Sequence, residues 1–467
     1  MNIRLPLKPT ERRLLLLTID LLVVALAVLA SLALWAVRGG YEFGVAFIRA
    51  RVQWFPLLVL FWVAMATLNG LYDLRRAADL RATAFALLRV TASELGVYVI
   101  FYFFSPPARV LPRGIVLYHA LLSLSLATLW RAAYRSLSRS TLQRRAVIAG
   151  GGRAGRILAT RMLAESGSSY SLVGFVDDDP AKEAMSIAGS PVLGTSRDLP
   201  DLVRALDIDT VVLAVTYDVQ GQLYRALLAS QEQGADIIPM PVLYEELTGR
   251  VPIEHVGDNW LVALPLEHAA ARGFFPILKR GFDIAVSIVG LTLLAILLPL
   301  IAVAQHLDCP GPIFYRQERV GRAGRTFRVF KLRSMIPNAE KAGEAVWAQE
   351  RDPRITRVGR FLRATHLDEF PQFINILKGD MSVVGPRPER PAFVAELEKQ
   401  VPFYRLRHAV KPGMAGWALV NYGYSSSVED AMIKVQYDLY YIKHQSLYLD
   451  VVILFRTLLD MVTLGGR

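Results

Sequence analysis

Four apolar stretches in the first third of this 467-residue chain, Leu14 to Val37, Trp54 to Tyr72, Ala84 to Phe104 and Gly114 to Tyr134, restrict its fold more than any other feature. Each approaches the roughly 20 residues that a helix needs to cross hydrocarbon, where no water satisfies an irregular backbone. They predict a membrane protein whose residues 1–140 form a four-helix transmembrane bundle. Arg4, Lys8, Arg12 and Arg13 precede the first stretch, Arg75, Arg76 and Arg81 follow the second, and Arg131, Arg135, Arg139, Arg144 and Arg145 follow the fourth. Cytoplasmic loops collect Lys and Arg, so both ends of the bundle are expected in the cytoplasm. Arg38, Arg49, Arg51, Arg109 and Arg113 on the other side weaken that bias without reversing it. A signal peptide has an apolar region of only about 7–15 residues, so the first stretch reads as retained. Asp20 lies inside it, where a functional carboxylate and a capping or bundle-facing one look alike.

The mean hydropathy of +0.33 agrees with a membrane protein. The formal net charge of +12 is carried mostly beside apolar segments, which assigns it to a lipid bilayer rather than to nucleic acid. A single cysteine, Cys309, excludes an internal disulfide framework and a cysteine-based zinc site and reads as a packed thiol. His306, His366, His408 and His444 are scattered and read as ordinary hydrogen-bonding residues rather than metal ligands.

From Ala146 the pattern changes to short β-branched runs separated by helical segments. Ala146-Val147-Ile148-Ala149 leads into Gly150-Gly151-Gly152-Arg153-Ala154-Gly155 and a helix. Further strands are expected at Ser171 to Val176, Thr210 to Val215 and Ala235 to Ile238, with helices near Asp198 to Leu206 and Gln220 to Gln233. This alternation predicts a Rossmann-like parallel α/β domain over residues 141–265. Gly150, Gly152 and Gly155 fit G-x-G-x-x-G, which brings backbone amides toward a pyrophosphate, and Asp177 stands where a ribose-binding acid is expected. A domain that keeps the tight turn and binds nothing would read the same.

A further apolar segment runs from Lys279, Arg280 and Asp283 to about Leu307, interrupted at Leu298-Pro299. Proline in a helix interior removes a backbone donor and clashes with the preceding turn, so a sharp bend is expected. Lys279 and Arg280 precede the segment, while Arg316, Arg319, Arg322, Arg325, Arg328, Lys331 and Arg333 follow it. Both flanks therefore prefer the cytoplasm, and a re-entrant helix over about residues 279–307 satisfies both. A proline-kinked span is the alternative, and it would carry the rest of the chain to the far side. Arg280 and Asp283, three residues apart, are expected to pair at the water boundary or to snorkel separately.

The remaining sequence has no other uninterrupted apolar span, and its final helix, Ser446 to Leu464, is broken by Asp450, Arg456 and Asp460. Within Arg363-Ala364-Thr365-His366-Leu367-Asp368-Glu369-Phe370-Pro371-Gln372, an aspartate and a glutamate stand side by side. Pro371 is tolerated only in a helix's first turn, which places a helix start near Leu367 or Asp368 and its end at Gly379. Acidic pairs often decorate such a start because the helix dipole favours them. Beside Arg363 and a membrane segment, this pair also suits phosphoryl chemistry, one carboxylate attacking and the other holding a divalent cation.

The region from about Pro276 to the C-terminus resembles the bacterial polyprenyl-phosphate sugar-1-phosphate transferases, the monotopic phosphoglycosyl transferase superfamily. The resemblance rests on the basic start and proline-interrupted membrane helix, Lys331-Leu332-Arg333-Ser334-Met335, Leu367-Asp368-Glu369-Phe370-Pro371-Gln372, Gly385-Pro386-Arg387-Pro388 and Lys411-Pro412-Gly413. The bundle and α/β domain ahead of it resemble the longer members, among them undecaprenyl-phosphate glucose and galactose phosphotransferases that initiate exopolysaccharide, capsule or O-antigen repeat units. Leu298 departs from the serine that often precedes the proline.

The resemblance implies a catalytic domain over residues 276–467, on the cytoplasmic face of the bacterial inner membrane. In it Asp368 would attack the sugar-bearing phosphorus of a UDP-sugar, releasing UMP and forming a phosphosugar-aspartyl intermediate, from which undecaprenyl phosphate takes the sugar phosphate. Glu369 would hold Mg2+, Arg363 and Arg387 would clamp phosphate oxygens, and Lys331 and Arg333 would contact phosphate or face lipid. The longer members are also compatible with a homodimer. Two other readings stay open: a membrane-anchored NAD-dependent nucleotide-sugar dehydratase or epimerase, and a noncatalytic nucleotide-sensing scaffold for polysaccharide assembly. Against the dehydratase, no Tyr-x-x-x-Lys pair occurs in the chain.

Overall fold

The computed structural model describes residues 7–49, 54–104, 113–164, 169–183, 185–215, 221–253, 273–337, 339, 352–423 and 427–462. The chain divides into two compact units, Met1–Leu247 and Thr248–Arg467. The first unit opens with α1 (Pro9–Gly39), short α2 (Val45–Arg49), α3 (Trp54–Leu68), short α4 (Leu74–Ala77), α5 (Leu80–Phe104) and α6 (Arg113–Ser140). Pro9 sits in the first turn of α1, where its missing N–H costs nothing, and left-handed Gly40 (φ 67°) closes the helix. Leu16, Val24, Val28 and Leu32 bury one stripe of α1, and Asp20 on the same stripe pairs with buried Arg131 of α6. Arg131 also donates to the Leu71 carbonyl at 2.8 Å, so Asp20 is a bundle-facing carboxylate with its charge compensated.

Of the expected N-terminal spans, α1, α5 and α6 are long and apolar enough to cross a membrane. The described part of the stretch from Trp54, α3, has 15 residues and ends four residues before the expected Tyr72. It stops because Gly70 turns left-handed (φ 72°) and Leu71 returns its N–H to the Ala66 carbonyl, ending the helix before Tyr72.

The α/β part follows as β1 (Arg144–Ala149), α7 (Arg153–Ala164), β2 (Tyr170–Val176), β3 (Ser186–Ile187), β4 (Ser190–Gly194), α8 (Leu199–Ala205), β5 (Thr210–Leu213), α9 (Gly221–Glu232), β6 (Asp236–Pro239) and α10 (Met240–Thr248). Among the described residues these make one six-stranded sheet in the order β3-β4-β2-β1-β5-β6, parallel except for β3 against β4. The order reverses around β1, the doubly wound arrangement that the alternating pattern implies. The β3–β4 hairpin was not expected; two-residue β3 and Pro191 in β4 carry no alternation to read.

The second unit contains α11 (Phe275–Asp308), the antiparallel hairpin β7 (Phe314–Val320) and β8 (Thr326–Leu332), α12 (Arg357–Ala364), α13 (Gln372–Lys378), β9 (Ser382–Val384), α14 (Pro391–Gln400), β10 (Gly413–Ala415), α15 (Trp417–Tyr422), α16 (Val428–Lys443) and α17 (Leu447–Val462). Leu294 and Ile301 of α11 join Val329, Leu362, Phe373, Ile376, Val383, Leu439 and Ile453 in its core. Val251 and Ile253 fill the same core, so the chain leaving α10 already belongs here; the expected boundary at residue 265 lies outside the described residues.

Among the described residues α11 is the fourth helix long and apolar enough to cross a membrane, and it runs through Pro299 as one helix of 34 residues. The expected break is not seen as a separation into two helices. Both ends of α11 bond to this unit: Asp283 accepts from Ser382 Oγ (3.0 Å) and Val383 N (3.1 Å), while Asp308 accepts from Val358 N (2.8 Å) and Gln305 Nε2 donates to the Arg333 carbonyl (2.6 Å). Between them Gly290 packs so closely on α13 that a Cβ there would lie 2.1 Å from the Phe373 ring.

The expected pairing of Arg280 with Asp283 is not formed. Arg280 donates to the Ile376 and Leu377 carbonyls (2.6 and 2.7 Å) in the last turn of α13, where carbonyls have capacity beyond the helix's own bonds. Asp283 takes Lys279 instead, at 3.5 Å, and Lys279 reaches Asp450 of α17 at 2.7 Å.

Candidate active site

The acidic pair is presented by a reversal of the chain after α12. Thr356 caps that helix, its hydroxyl accepting from Gly359 N at 2.9 Å, and His366 then takes a left-handed φ of 54°. Few non-glycine residues adopt that conformation, and it turns the chain into a single 3-10 turn, Leu367–Glu369. Pro371 follows as the N-cap of α13, so the pair lies one turn ahead of the helix rather than within it. Asp368 and Glu369 are 7% and 5% exposed, and buried carboxylates need charged or hydrogen-bonding neighbours.

Glu369 has them. Its Oε1 accepts from Lys331 Nζ at 2.7 Å and Arg387 Nη2 at 2.6 Å, and its Oε2 from Arg387 Nη1 at 3.3 Å. Burial alone would raise this carboxyl, but the charges of Arg387 and Lys331 outweigh it and hold Glu369 well below the usual carboxylate range. Asp368 has no hydrogen bond or ion pair with a described residue. Burial pushes it up to about 6, Glu369 adding to the rise while Lys331, Arg363 and Arg387 oppose it.

Arg387 arrives from the loop after β9. Gly385 and Gly413 let that loop lie against the loop before β10: a Cβ on Gly385 would lie 2.4 Å from the Lys411 carbonyl, and one on Gly413 2.0 Å from Gly385 N. Gly413 N donates to the Pro386 carbonyl at 2.9 Å, and β9 and β10 pair in parallel. Two motifs far apart in sequence thus make one backbone support. Behind it, Arg407 donates to the Arg387 carbonyl at 3.0 Å and pairs with buried Asp438 at 2.9 Å. Arg319 donates to the Pro388 carbonyl at 3.2 Å. Neither of these arginines was legible beforehand, because a buried arginine and a surface arginine look alike in a single sequence.

Arg363 ends α12 close enough to oppose the rise of Asp368, and its Nη1 is buried with no hydrogen-bond partner among the described residues. Arg333 does not join the site. It lies beyond the end of β8, and its guanidinium bonds the Cys309 carbonyl and lies 3.6 Å from Cys309 Sγ, where it caps the C-terminus of α11. Lys279, Arg280, Asp283 and Pro299 lie on α11, and the first three bond Val384, the end of α13, Ser382 and Asp450 rather than the acidic pair.

Among the described residues no three His, Cys, Asp or Glu side chains converge, so the donors offered here to a divalent cation are the carboxylates of Asp368 and Glu369. That donor set fits Mg2+, which takes one or two carboxylates and completes its shell with water and substrate phosphates.

The glycine loop is a separate place in the first unit. A Cβ on Gly155 would lie 2.0 Å from the Gly150 carbonyl, whereas one on Gly152 would meet nothing within 4 Å. Asp177, at the end of β2, accepts from Gly151 N at 2.6 Å and Lys182 Nζ at 2.9 Å. Burial would raise Asp177, but these bonds and one from Asp179 N hold it below its ordinary value.

The second unit thus joins a helix long and apolar enough to cross a membrane to two buried carboxylates among arginines and a lysine, and it follows a doubly wound domain in the chain. The chain belongs to the bacterial sugar transferase family, which it matches over residues 274–464; residues 67–241 match a CoA-binding domain family. It is 32% identical over 364 residues to the UDP-galactose-lipid carrier transferase of Erwinia amylovora, covering 72% of each protein. Against the UDP-N-acetylgalactosamine-undecaprenyl-phosphate N-acetylgalactosaminephosphotransferase of Aeromonas hydrophila it is 41% identical over 272 residues, 58% of this chain and 63% of that one. Against the UDP-glucose:undecaprenyl-phosphate glucose-1-phosphate transferase of Escherichia coli (strain K12) it is 33% identical over 311 residues, 65% of this chain and 66% of that one. The chain thus spans a little under two thirds of the last two relatives.

Proposed function

We propose that the protein transfers a sugar 1-phosphate from a UDP-hexose or its N-acetylated form to undecaprenyl phosphate, as the first membrane step of a surface polysaccharide. The observation that carries this reading is the unequal treatment of two adjacent buried carboxylates: Glu369 is fastened by Lys331 and Arg387, whereas Asp368 has no hydrogen bond or ion pair among the described residues. A nucleophile needs free oxygens, and a fixed neighbour keeps its surroundings in place.

An oxygen of Asp368 attacks the sugar-bearing phosphorus, the bond to the bridging oxygen breaks, and its electron pair leaves with UMP. The acyl phosphate so formed is attacked at the same phosphorus by an oxygen of undecaprenyl phosphate, which restores the Asp368 carboxylate and yields a lipid diphosphate sugar. Arg363, whose Nη1 has no partner among the described residues, and Arg387 oppose the negative charge of the phosphates. Mg2+, held by Glu369 with Asp368, would supply further neutralisation of the diphosphate and of the leaving UMP.

We also propose that α11 enters and leaves the membrane on the cytoplasmic side of the inner membrane. Its two ends and its middle bond or pack on one polar unit, while Ile288, Val289, Ile296, Leu300, Val303 and Leu307 line it with exposed apolar surface. A helix crossing the bilayer would have to leave that unit at one end.

The test is UMP release by the purified full-length protein with UDP-glucose, UDP-galactose and their N-acetylated forms, with and without undecaprenyl phosphate. Lipid-dependent UMP release with one of them is expected. A changed sugar with no UMP would replace this reading with the dehydratase, and neither product would leave the scaffold.

A further inference from the structure

The strand that carries Lys331, β8, pairs with β7 along one edge and with no further strand along the other among the described residues. Among the described residues its sheet has two strands, with Arg316 opposite Phe330 and Glu318 opposite Arg328. The outer backbone groups of β8 would need water or a third strand. Asn375 of α13 takes that place: its Nδ2 donates to the Arg328 carbonyl at 2.8 Å and its Oδ1 accepts from Phe330 N at 3.0 Å. A carboxamide has the donor and acceptor of a peptide group, and this one, fully buried, bonds the strand as a neighbouring strand would.

Its position gives the contact a consequence. Lys331 is the next residue after Phe330, and α13 begins just after the turn that holds Glu369. One side chain therefore fixes the relation between the two backbones from which Lys331 and Glu369 reach each other at 2.7 Å. A slip of the strand by one residue would turn Lys331 to the opposite face. The remaining seam is less specific: the Phe330 ring lies under the cations of Arg316 and Lys378, at 4.7 and 4.8 Å.

We propose that Asn375 is a positioning residue that acts through Lys331 on Glu369. The inference rests on the transferase reading given above. The experiment is a double-mutant cycle in the purified full-length protein, with Asn375→Ala, Lys331→Ala and the double variant, measuring kcat and KM for UMP release. Lys331→Ala is expected to lower kcat, and Asn375→Ala to lower it by about 10- to 100-fold with KM for the UDP-sugar changed less. The double variant should be no worse than Lys331→Ala alone. Lys378→Ala should stay within about twofold of the parent.

Should Asn375→Ala not fold, Asn375→Asp keeps the acceptor for Phe330 N, loses the donor to Arg328 and runs the same cycle. Parental kcat for the Asn375 variant beside an impaired Lys331→Ala overturns the inference alone, as do additive losses in the double variant. A harmless Lys331→Ala overturns the assignment of Lys331 in the proposed function, and this inference with it.

Discussion

Two aspartates in this chain each have a lysine nearby, and they are treated in opposite ways. Asp177 spends its oxygens on Gly151 N, Asp179 N and Lys182. Asp368 is more deeply buried, yet Lys331 passes it by for Glu369. In the glycine loop the charge is satisfied within the protein, which stabilises a turn. In the acidic pair it is left for something else to satisfy, and a neighbouring carboxylate that is well paired keeps the strand, helix and loop in place around it.

The sharpest way to break this comparison is Asp368→Asn, which removes the charge of the proposed nucleophile at nearly constant shape. UMP release should fall by roughly 10³-fold or more, and no phosphosugar-protein adduct should form from a radiolabelled donor. Turnover within a few-fold of the parent would falsify the assignment of the nucleophile.

A smaller effect is expected from pH. Asp368 is raised to about 6 by burial with Glu369 beside it, against Lys331, Arg363 and Arg387, so it is increasingly protonated as pH falls through that value. Only the carboxylate attacks, so kcat/KM should decline by about tenfold per unit below pH 6, and a bound divalent cation should move the decline to lower pH. A flat profile between pH 5 and pH 7, with the protein intact, would remove the buried acid from the rate.

The smallest effect belongs to the other aspartate. Asp177→Asn should leave UMP release within about twofold, because that acid supports a turn in a different unit. A loss comparable to that of Asp368→Asn would place both acids in one function and erase the contrast.

Much of the architecture was legible because it follows from periodicity. Apolar length marked α1, α5, α6 and α11, and alternating strands and helices marked the doubly wound sheet. The second expected stretch ends earlier than hydropathy suggests because a glycine turn decides where α3 stops. The acidic pair was visible as neighbours in the chain, and Arg363 lay close by. Arg387 could be drawn in only through a resemblance, since its distance from Glu369 in sequence says nothing about distance in space. Arg333 was equally hard to place: its charge suits phosphate, but it follows the end of β8 and its guanidinium bonds the Cys309 carbonyl.

By itself, the sequence determined which segments are too apolar for water, where the chain alternates strand with helix, and that two carboxylates stand together. Such properties are local, and each is written within a few turns or a few residues. Only the tertiary structure decided which carboxylate is fastened and which is free, that Arg280 holds the end of α13 rather than Asp283, and that a buried amide closes the edge of a strand. Those outcomes depend on which groups meet after burial has removed water as a partner, and a one-dimensional pattern carries no record of that competition.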